Sequence, residues 1–263
     1  MVIQVEVTTV CNFECGYCTI RHYPHKMLSM AAFKALVEPH LRSAQVTEFR
    51  LNGTGEPLLH PEFWDMARHI KARSPRAAVT TISNGSVMTK RHQDAIIRYL
   101  SWLFISIDTT DVAQAGQMGR HGIDKVILHL RELVARGYRA ITLLAVDYGQ
   151  DYTDVRQLAE DLGIQFASKP LQPKNDYREV YDDRRLTPQL APVPDLINTV
   201  TCPFIQRDIL RFYTIDGVEM PCCFIRDTTD YAGRDALKTD MEQGVIPGSC
   251  RGCGFLSFNQ PGR

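Results

Sequence analysis

The chain is expected to fold as an α/β protein, a partial (β/α)6 TIM-like barrel open on one side, followed by a small cysteine-rich domain. Three observations predict this. Up to about Ser168, short β-rich runs alternate with helical periodicity, the rhythm of parallel strands joined by crossover helices. Cysteines gather in two places, at Cys11–Cys18 and in the last quarter of the chain. Between the two halves, Lys169 to Val200 is broken by Pro170, Pro173, Pro188, Pro192 and Pro194 and carries neither period. The expected divisions are therefore 1–168 for the barrel, 169–200 for a linker and 201–263 for the cysteine-rich domain.

Taken in order, the candidate strands are Val2–Val7, Val46–Leu51, Ala78–Ile82, Leu103–Ile107, Ala140–Val146 and Ile164–Ala167. Amphipathic segments separate them. Met30, Phe33, Leu36, Val37 and Leu41 recur at helical spacing, as do Ile123, Val126, Ile127, Leu130, Leu133 and Val134. Pro61 marks a helix start and Gly137 a helix end. The linker admits one helical turn around Tyr177–Arg184. Beyond it, Ile209–Ile215 and Val218–Met220 flank Asp216-Gly217 as a hairpin, and Ala236–Gln243 forms a short helix.

Bulk composition narrows the function. Lys+Arg and Asp+Glu both number 30, so no net charge draws the chain to nucleic acid or an anionic membrane. It has no apolar run long enough to span a bilayer and no signal-peptide pattern at its start. With eight cysteines and no secretion signal, the expected setting is a reducing cytoplasm with metal ligation.

The chemistry concentrates in Cys11-Asn12-Phe13-Glu14-Cys15-Gly16-Tyr17-Cys18, directly after the first strand. Three thiols this close cannot all pair as disulfides, and thiolates prefer iron–sulfur or zinc. A 4Fe–4S cubane held by three cysteines keeps one iron open for a small molecule. A closed zinc site needs a fourth ligand, and His22 and His25 follow with no fixed ligand spacing.

With Tyr17 before the last thiol, Cys11, Cys15 and Cys18 resemble the motif of radical S-adenosylmethionine enzymes. The resemblance implies a 4Fe–4S cluster whose open iron takes the amino and carboxylate groups of S-adenosylmethionine. One electron, from a flavodoxin- or ferredoxin-type donor, then yields a deoxyadenosyl radical that abstracts a hydrogen atom. The plainer readings are a zinc-stabilised loop or three buried thiols.

After the second strand, Gly53, Thr54, Gly55 and Glu56 resemble the family's Gly-Gly-Glu motif, which holds the amino group of S-adenosylmethionine. Thr54 stands in place of the middle glycine, a change a backbone contact tolerates. By position, Asn84, Ser106 and Asp108 at the third and fourth strand ends resemble contacts to ribose hydroxyls and the methionine carboxylate, with Tyr17 giving backbone contacts to adenine. Each is equally readable as a helix cap or turn residue.

In the last quarter, one cysteine before a hairpin, another after it and a closing C-x-x-C make a four-thiolate cage for zinc or a second 4Fe–4S cluster. The pattern resembles the twitch auxiliary-cluster domain, with Cys202, Cys222, Cys250 and Cys253 in the ligand places. Cys223 is left over, either as filling for an apolar pocket or as a hydrogen-atom donor.

The resembling group contains aminocyclitol dehydrogenases of aminoglycoside biosynthesis and radical sugar epimerases. Dehydrogenation of a carbinol in a small polyhydroxylated, amino-sugar or aminocyclitol substrate is the first expectation. Epimerisation with Cys223 as donor comes next, and peptide modification ranks lower. A non-catalytic metal scaffold is the alternative outside enzymes. Lys169, Arg139, Arg184 and Arg185 are candidates to orient hydroxyls or act as a base, and each is equally readable as a solvated surface charge.

Overall fold

A computed structural model describes residues 1–18, 23–147, 149–171, 192–194, 197–225 and 231–259. The barrel half runs β1 (Val2–Val5), α1 (Met30–Val37), β2 (Glu48–Leu51), α2 (Phe63–Arg73), β3 (Ala78–Ser83), α3 (Lys90–Tyr99), β4 (Trp102–Ser106), α4 (Val112–Gln117), α5 (Ile123–Ala135), β5 (Ile141–Asp147), α6 (Thr153–Leu162) and β6 (Gln165–Pro170). The remainder holds β7 (Thr199–Thr201), α7 (Pro203–Gln206), β8 (Leu210–Tyr213), β9 (Glu219–Met220), α8 (Arg234–Glu242) and β10 (Ser257–Asn259). All six expected strands form, each within a few residues of its expected ends. The turn expected at Tyr177–Arg184 lies outside the described residues.

Local chemistry explains where the helices start. Ser29 caps α1 through a bond from Ala32 N at 3.2 Å, and Asp111 caps α4 through Gln114 N at 2.7 Å. Thr89 and His92 close a reciprocal capping box on α3. The first helix after β2 begins two residues later than Pro61 suggested, because Glu62 takes the capping position. Helix α5 ends just before Gly137, as expected.

Strands β1 to β6 pair in parallel in chain order. Their two-residue alternation divides the side chains. Ile3, Val5, Phe49, Leu51, Val79, Leu103, Ile105, Ile141 and Leu143 point to the helices and are buried in one core with Phe33, Val37, Ile70, Val126 and Leu130. The concave face takes the alternate residues: Gln4, Glu6, Glu48, Arg50, Thr80, Thr142 and Lys169. In the register, Glu48 stands beside Val2 and Ala78, Arg50 beside Gln4 and Thr80, and Lys169 beside Val146.

One connection was not legible beforehand. The hairpin forms around Asp216-Gly217 as expected, but β8 also pairs in parallel with β1, so β8 and β9 extend the barrel sheet to eight strands. Alternate residues of β8 therefore serve two cores. Tyr213 joins the barrel core, and Phe212 joins a second core with Val200, Ile205, Met220, Leu237 and Met241. The Tyr213 hydroxyl donates to Glu219 Oε2 at 3.1 Å and lies 2.7 Å from His40 Nε2, fixing the hairpin to the 3-10 turn Glu38–His40 that follows α1. The pairing of β7 with β10, absent from the sequence expectations, closes the second core.

Phe49 is fully buried at the centre of β2. Phe49→Ala should lower unfolding free energy by about 3–5 kcal/mol in chemical denaturation, through lost transfer energy plus the cavity it leaves.

Candidate active site

The cysteine loop leaves β1 and crosses the C-terminal ends of β2 to β4. Cys11, Cys15 and Cys18 line a cavity of about 170 Å³ together with the Asn52–Glu56 turn, Asn84, Ser106 and Arg120. Within the loop, Cys18 N donates to Cys15 O at 2.9 Å and Phe13 N to Cys11 Sγ at 3.5 Å. Outside contacts hold it. Glu14 N donates to Gly119 O at 3.0 Å, and Asn12 bonds to both Ser86 Oγ at 2.8 Å and Asn84 Nδ2 at 3.0 Å. Gly119, with φ of 78°, packs so closely that an added Cβ would lie 2.2 Å from the Glu14 carbonyl oxygen.

Tyr17 enters a buried charged cluster. Its hydroxyl donates to Asp108 Oδ2 at 2.6 Å and accepts from Arg120, whose guanidinium stacks over the ring. Arg120 Nη1 and Nη2 donate to the carbonyl and hydroxyl of Ser106 at 2.8 and 2.9 Å, and Nε pairs with Asp108 Oδ2 at 3.2 Å. Burial pushes the Tyr17 phenol well above its ordinary range, so it stays a neutral donor. Burial disfavours the Arg120 charge, but the adjacent Tyr17 and Asp108 outweigh it and hold the guanidinium cationic.

The second strand end is organised by Glu6, a buried carboxylate at the concave end of β1. Glu6 Oε1 accepts from Thr54 N at 2.9 Å and Thr54 Oγ1 at 2.8 Å, while Oε2 accepts from Ile215 N at 3.1 Å. Thr54 thus has a hydroxyl partner that a glycine would leave unused. Gly53 is required because a Cβ there would fall 2.2 Å from Glu6 Cγ, and Gly55 because one would fall 2.6 Å from the carbonyls of Thr8 and Val10. Glu56 Oε1 accepts from Leu58 N at 3.0 Å and Ser83 Oγ at 2.8 Å, and Oε2 from Asn84 N at 2.6 Å. Burial raises its pKa against these bonds. Its first role is to join the second and third strand ends.

Most of the expected cofactor residues meet here. Tyr17, Gly53, Thr54, Gly55, Glu56, Asn84 and Ser106 all line the cavity. Asp108 does not. Its carboxylate is fully buried and spent on Arg120, Tyr17 and Val146 N at 2.8 Å, so it cannot serve as the expected acceptor for a ligand hydroxyl. Arg139 is also misplaced for substrate. It lies before β5, at the opposite end of the barrel, and donates to Leu162 O at 2.6 Å. Arg184 and Arg185 lie outside the described residues. Asn52, Glu6 and Arg120 were missed by the sequence reading. For Arg120 the sequence offered only flanking glycines, since a buried ion pair has no linear pattern.

Lys169 stands on the concave face at the end of β6. The surrounding protein, then the charge of Arg50, holds its ammonium below the ordinary value, and it also senses Cys223 and Glu48. The C-terminal cysteines occupy the second core. Cys202, Cys222, Cys250 and Cys253 are buried there, while Cys223 is half-buried at its margin. Burial pushes the Cys202 and Cys222 thiols up.

The donor set at the first cavity fits an iron–sulfur group with a small polar ligand. The cysteine thiols converge on one space, and burial raises Cys11, so a thiolate there calls for a compensating positive centre. Asn52 Oδ1 is buried and has no hydrogen-bond partner among the described residues, an acceptor suited to an ammonium group. Among those residues, no three His, Cys, Asp or Glu side chains are gathered tightly enough to hold a single metal ion.

Fold and site together define a parallel-barrel enzyme built around a cysteine-bound cofactor at its strand ends. The Radical SAM superfamily model matches residues 5–162, and the chain belongs to that superfamily. Membership implies a 4Fe–4S cluster and S-adenosylmethionine. The chain is 30% identical over 148 residues to GTP 3',8-cyclase 1 of Pseudomonas aeruginosa, covering 55% of this chain and 45% of that protein. It is 27% identical over 119 residues to the tungsten-containing aldehyde ferredoxin oxidoreductase cofactor-modifying protein of Pyrococcus furiosus, covering 43% and 32%. The matched stretch spans less than half the length of these curated relatives.

Solved structures establish the likeness of fold over more of the chain. BtrN in complex with AdoMet and 2-DOIA superposes at a TM-score of 0.53 with 15% identity, covering 92% of this chain and 87% of that one. Native anSMEcpe with bound AdoMet gives 0.65 and 13%, covering 94% and 83%. No helix among the described residues is long and apolar enough to cross a membrane.

Gly119→Ala should force the Glu14 carbonyl away and loosen the cysteine loop. Anaerobic reconstitution of this variant should show reduced iron incorporation and a loss of about 1–3 kcal/mol in stability.

Proposed function

We propose that the protein abstracts a hydrogen atom from a carbinol carbon of a small polyhydroxylated substrate, of the sugar, amino-sugar or aminocyclitol class, and dehydrogenates it. The observation that carries this reading is the convergence of Cys11, Cys15 and Cys18 with the Gly53–Glu56 turn, Asn84, Ser106 and Arg120 around one cavity. When bound, the cluster and S-adenosylmethionine supply a radical able to break an unactivated C–H bond.

The chain's own residues do the rest. The three thiols ligate the cluster. Asn52 and the Gly53–Glu56 backbone receive the amino group, and Arg120 with Ser106 offers a positive, hydrogen-bonding wall for the carboxylate. Lys169, whose ammonium is held below its ordinary value by desolvation and then by Arg50, stands on the concave face to orient the hydroxyl, whose proton passes to solvent water as the carbon is oxidised. Dehydrogenation also needs a one-electron acceptor. The burial of Cys202, Cys222, Cys250 and Cys253 in a single core supports a second, auxiliary 4Fe–4S cluster at that place. A flavodoxin- or ferredoxin-type protein would deliver the first electron.

One observation favours a second reading. Cys223 is close enough to Lys169 for the two to influence each other's charge, which puts a thiol near the concave face where it could return a hydrogen atom and epimerise the carbon. The two fates are separable. Reconstituted wild-type protein should hold about eight irons and Cys15→Ala about four, with S-adenosylmethionine cleavage lost in the variant. Cys223→Ala should retain a dehydrogenase's turnover. Deuterium incorporation from heavy water, abolished by Cys223→Ala, would overturn dehydrogenation in favour of epimerisation.

A further inference from the structure

Among the described residues the concave face of the sheet carries four charged side chains, Glu6, Glu48, Arg50 and Lys169, and their pairing is unequal. Arg50 is already compensated. Its Nη2 and Nε lie 2.8 and 2.9 Å from Glu48 Oε1, which also accepts from Thr80 Oγ1 at 2.6 Å. Both members of the pair are only about a quarter exposed or less, at 26% and 20%. Lys169 has no hydrogen bond or ion pair among the described residues. Its side chain is open to solvent on a concave surface where protein surrounds it at a distance. The other carboxylate on the concave side of β1, Glu6, is turned to Thr54 and Ile215 and saturated there. Asp108 is likewise spent on Arg120.

Among the described residues, this part of the concave face therefore has one cation without a hydrogen bond or ion pair, Lys169, with Arg50 near enough to influence its charge. We infer that this concave surface is an anion subsite, and that the substrate carries a carboxylate or a phosphate held by Lys169, with Arg50 as the neighbouring cation. The inference narrows the proposed substrate class: a member bearing only an ammonium group would meet like charge there, whereas one that also carries an acidic group would gain a charge-assisted hydrogen bond. Glu48 sets the strength of the subsite by occupying Arg50. The inference rests on the radical-enzyme reading only in calling the ligand a substrate; the charge arrangement stands without it.

The test uses the full chain, reconstituted anaerobically with iron and sulfide and saturated with S-adenosylmethionine. Matched probes are glucose, glucuronate, glucose 6-phosphate and glucosamine, with Kd read by calorimetry. Glucuronate, glucose 6-phosphate or both should bind about tenfold or more tightly than glucose, with glucosamine weakest. That preference should vanish in Lys169→Met and survive in Lys169→Arg. Glu48→Gln should move the opposite way, tightening the anionic probes several-fold by releasing Arg50, a gain that mere damage to the fold would not give. Equal binding of all four probes, a preference for glucosamine, or an anion preference that persists in Lys169→Met would overturn the proposal. So would a Lys169→Met protein whose main loss is affinity for S-adenosylmethionine, since Lys169 would then hold the cofactor's carboxylate. Carboxylate and phosphate are told apart by which acidic probe binds. Deoxyadenosine formation by the wild type without any probe is scored in parallel. Its absence would count against the radical reading alone.

Discussion

The buried trio of Tyr17, Arg120 and Asp108 is the interaction on which the site depends. The cysteine loop departs from β1 and is tied to the other strand ends by contacts outside itself. The trio does this by joining the loop to the ends of β4 and β5, through Ser106 on one side and Val146 N on the other. Removing one partner would strand a charge in a space almost free of water, a far larger cost than the net worth of the pair. The arrangement is therefore a specificity device, holding three sulfurs toward one cavity at the expense of two desolvated ions.

A second carboxylate performs the matching task at the other side of the cavity. Glu6 binds the turn after β2 and the segment after β8 with the same side chain. The cofactor turn and the approach to the C-terminal cysteines consequently share one anchor. With β8 paired to β1 and Tyr213 set into the barrel core, the cysteine-rich part is mounted on the barrel sheet rather than tethered to it.

Charge on the concave face follows a similar economy. Glu6 and Asp108 are saturated by the groups they position, and Glu48 by Arg50 and Thr80. Among the described residues, Lys169 is the one of these charged groups without a hydrogen bond or ion pair.

Strand and helix periods made the parallel barrel legible in the linear chain, because alternation and helical spacing are local properties that packing on one face preserves. The cysteine spacing and the glycine turn were legible for the same reason: ligand geometry within a few residues is fixed by the covalent chain. Tertiary structure decided the rest. The parallel pairing of β8 with β1, the withdrawal of Asp108 from the cavity, the entry of Glu6, Asn52 and Arg120, and the approach of Cys223 to Lys169 all join residues far apart in the chain. Such contacts are set by which strand edge is free and which charge a fold can bury, and neither leaves a mark at any fixed spacing in the sequence.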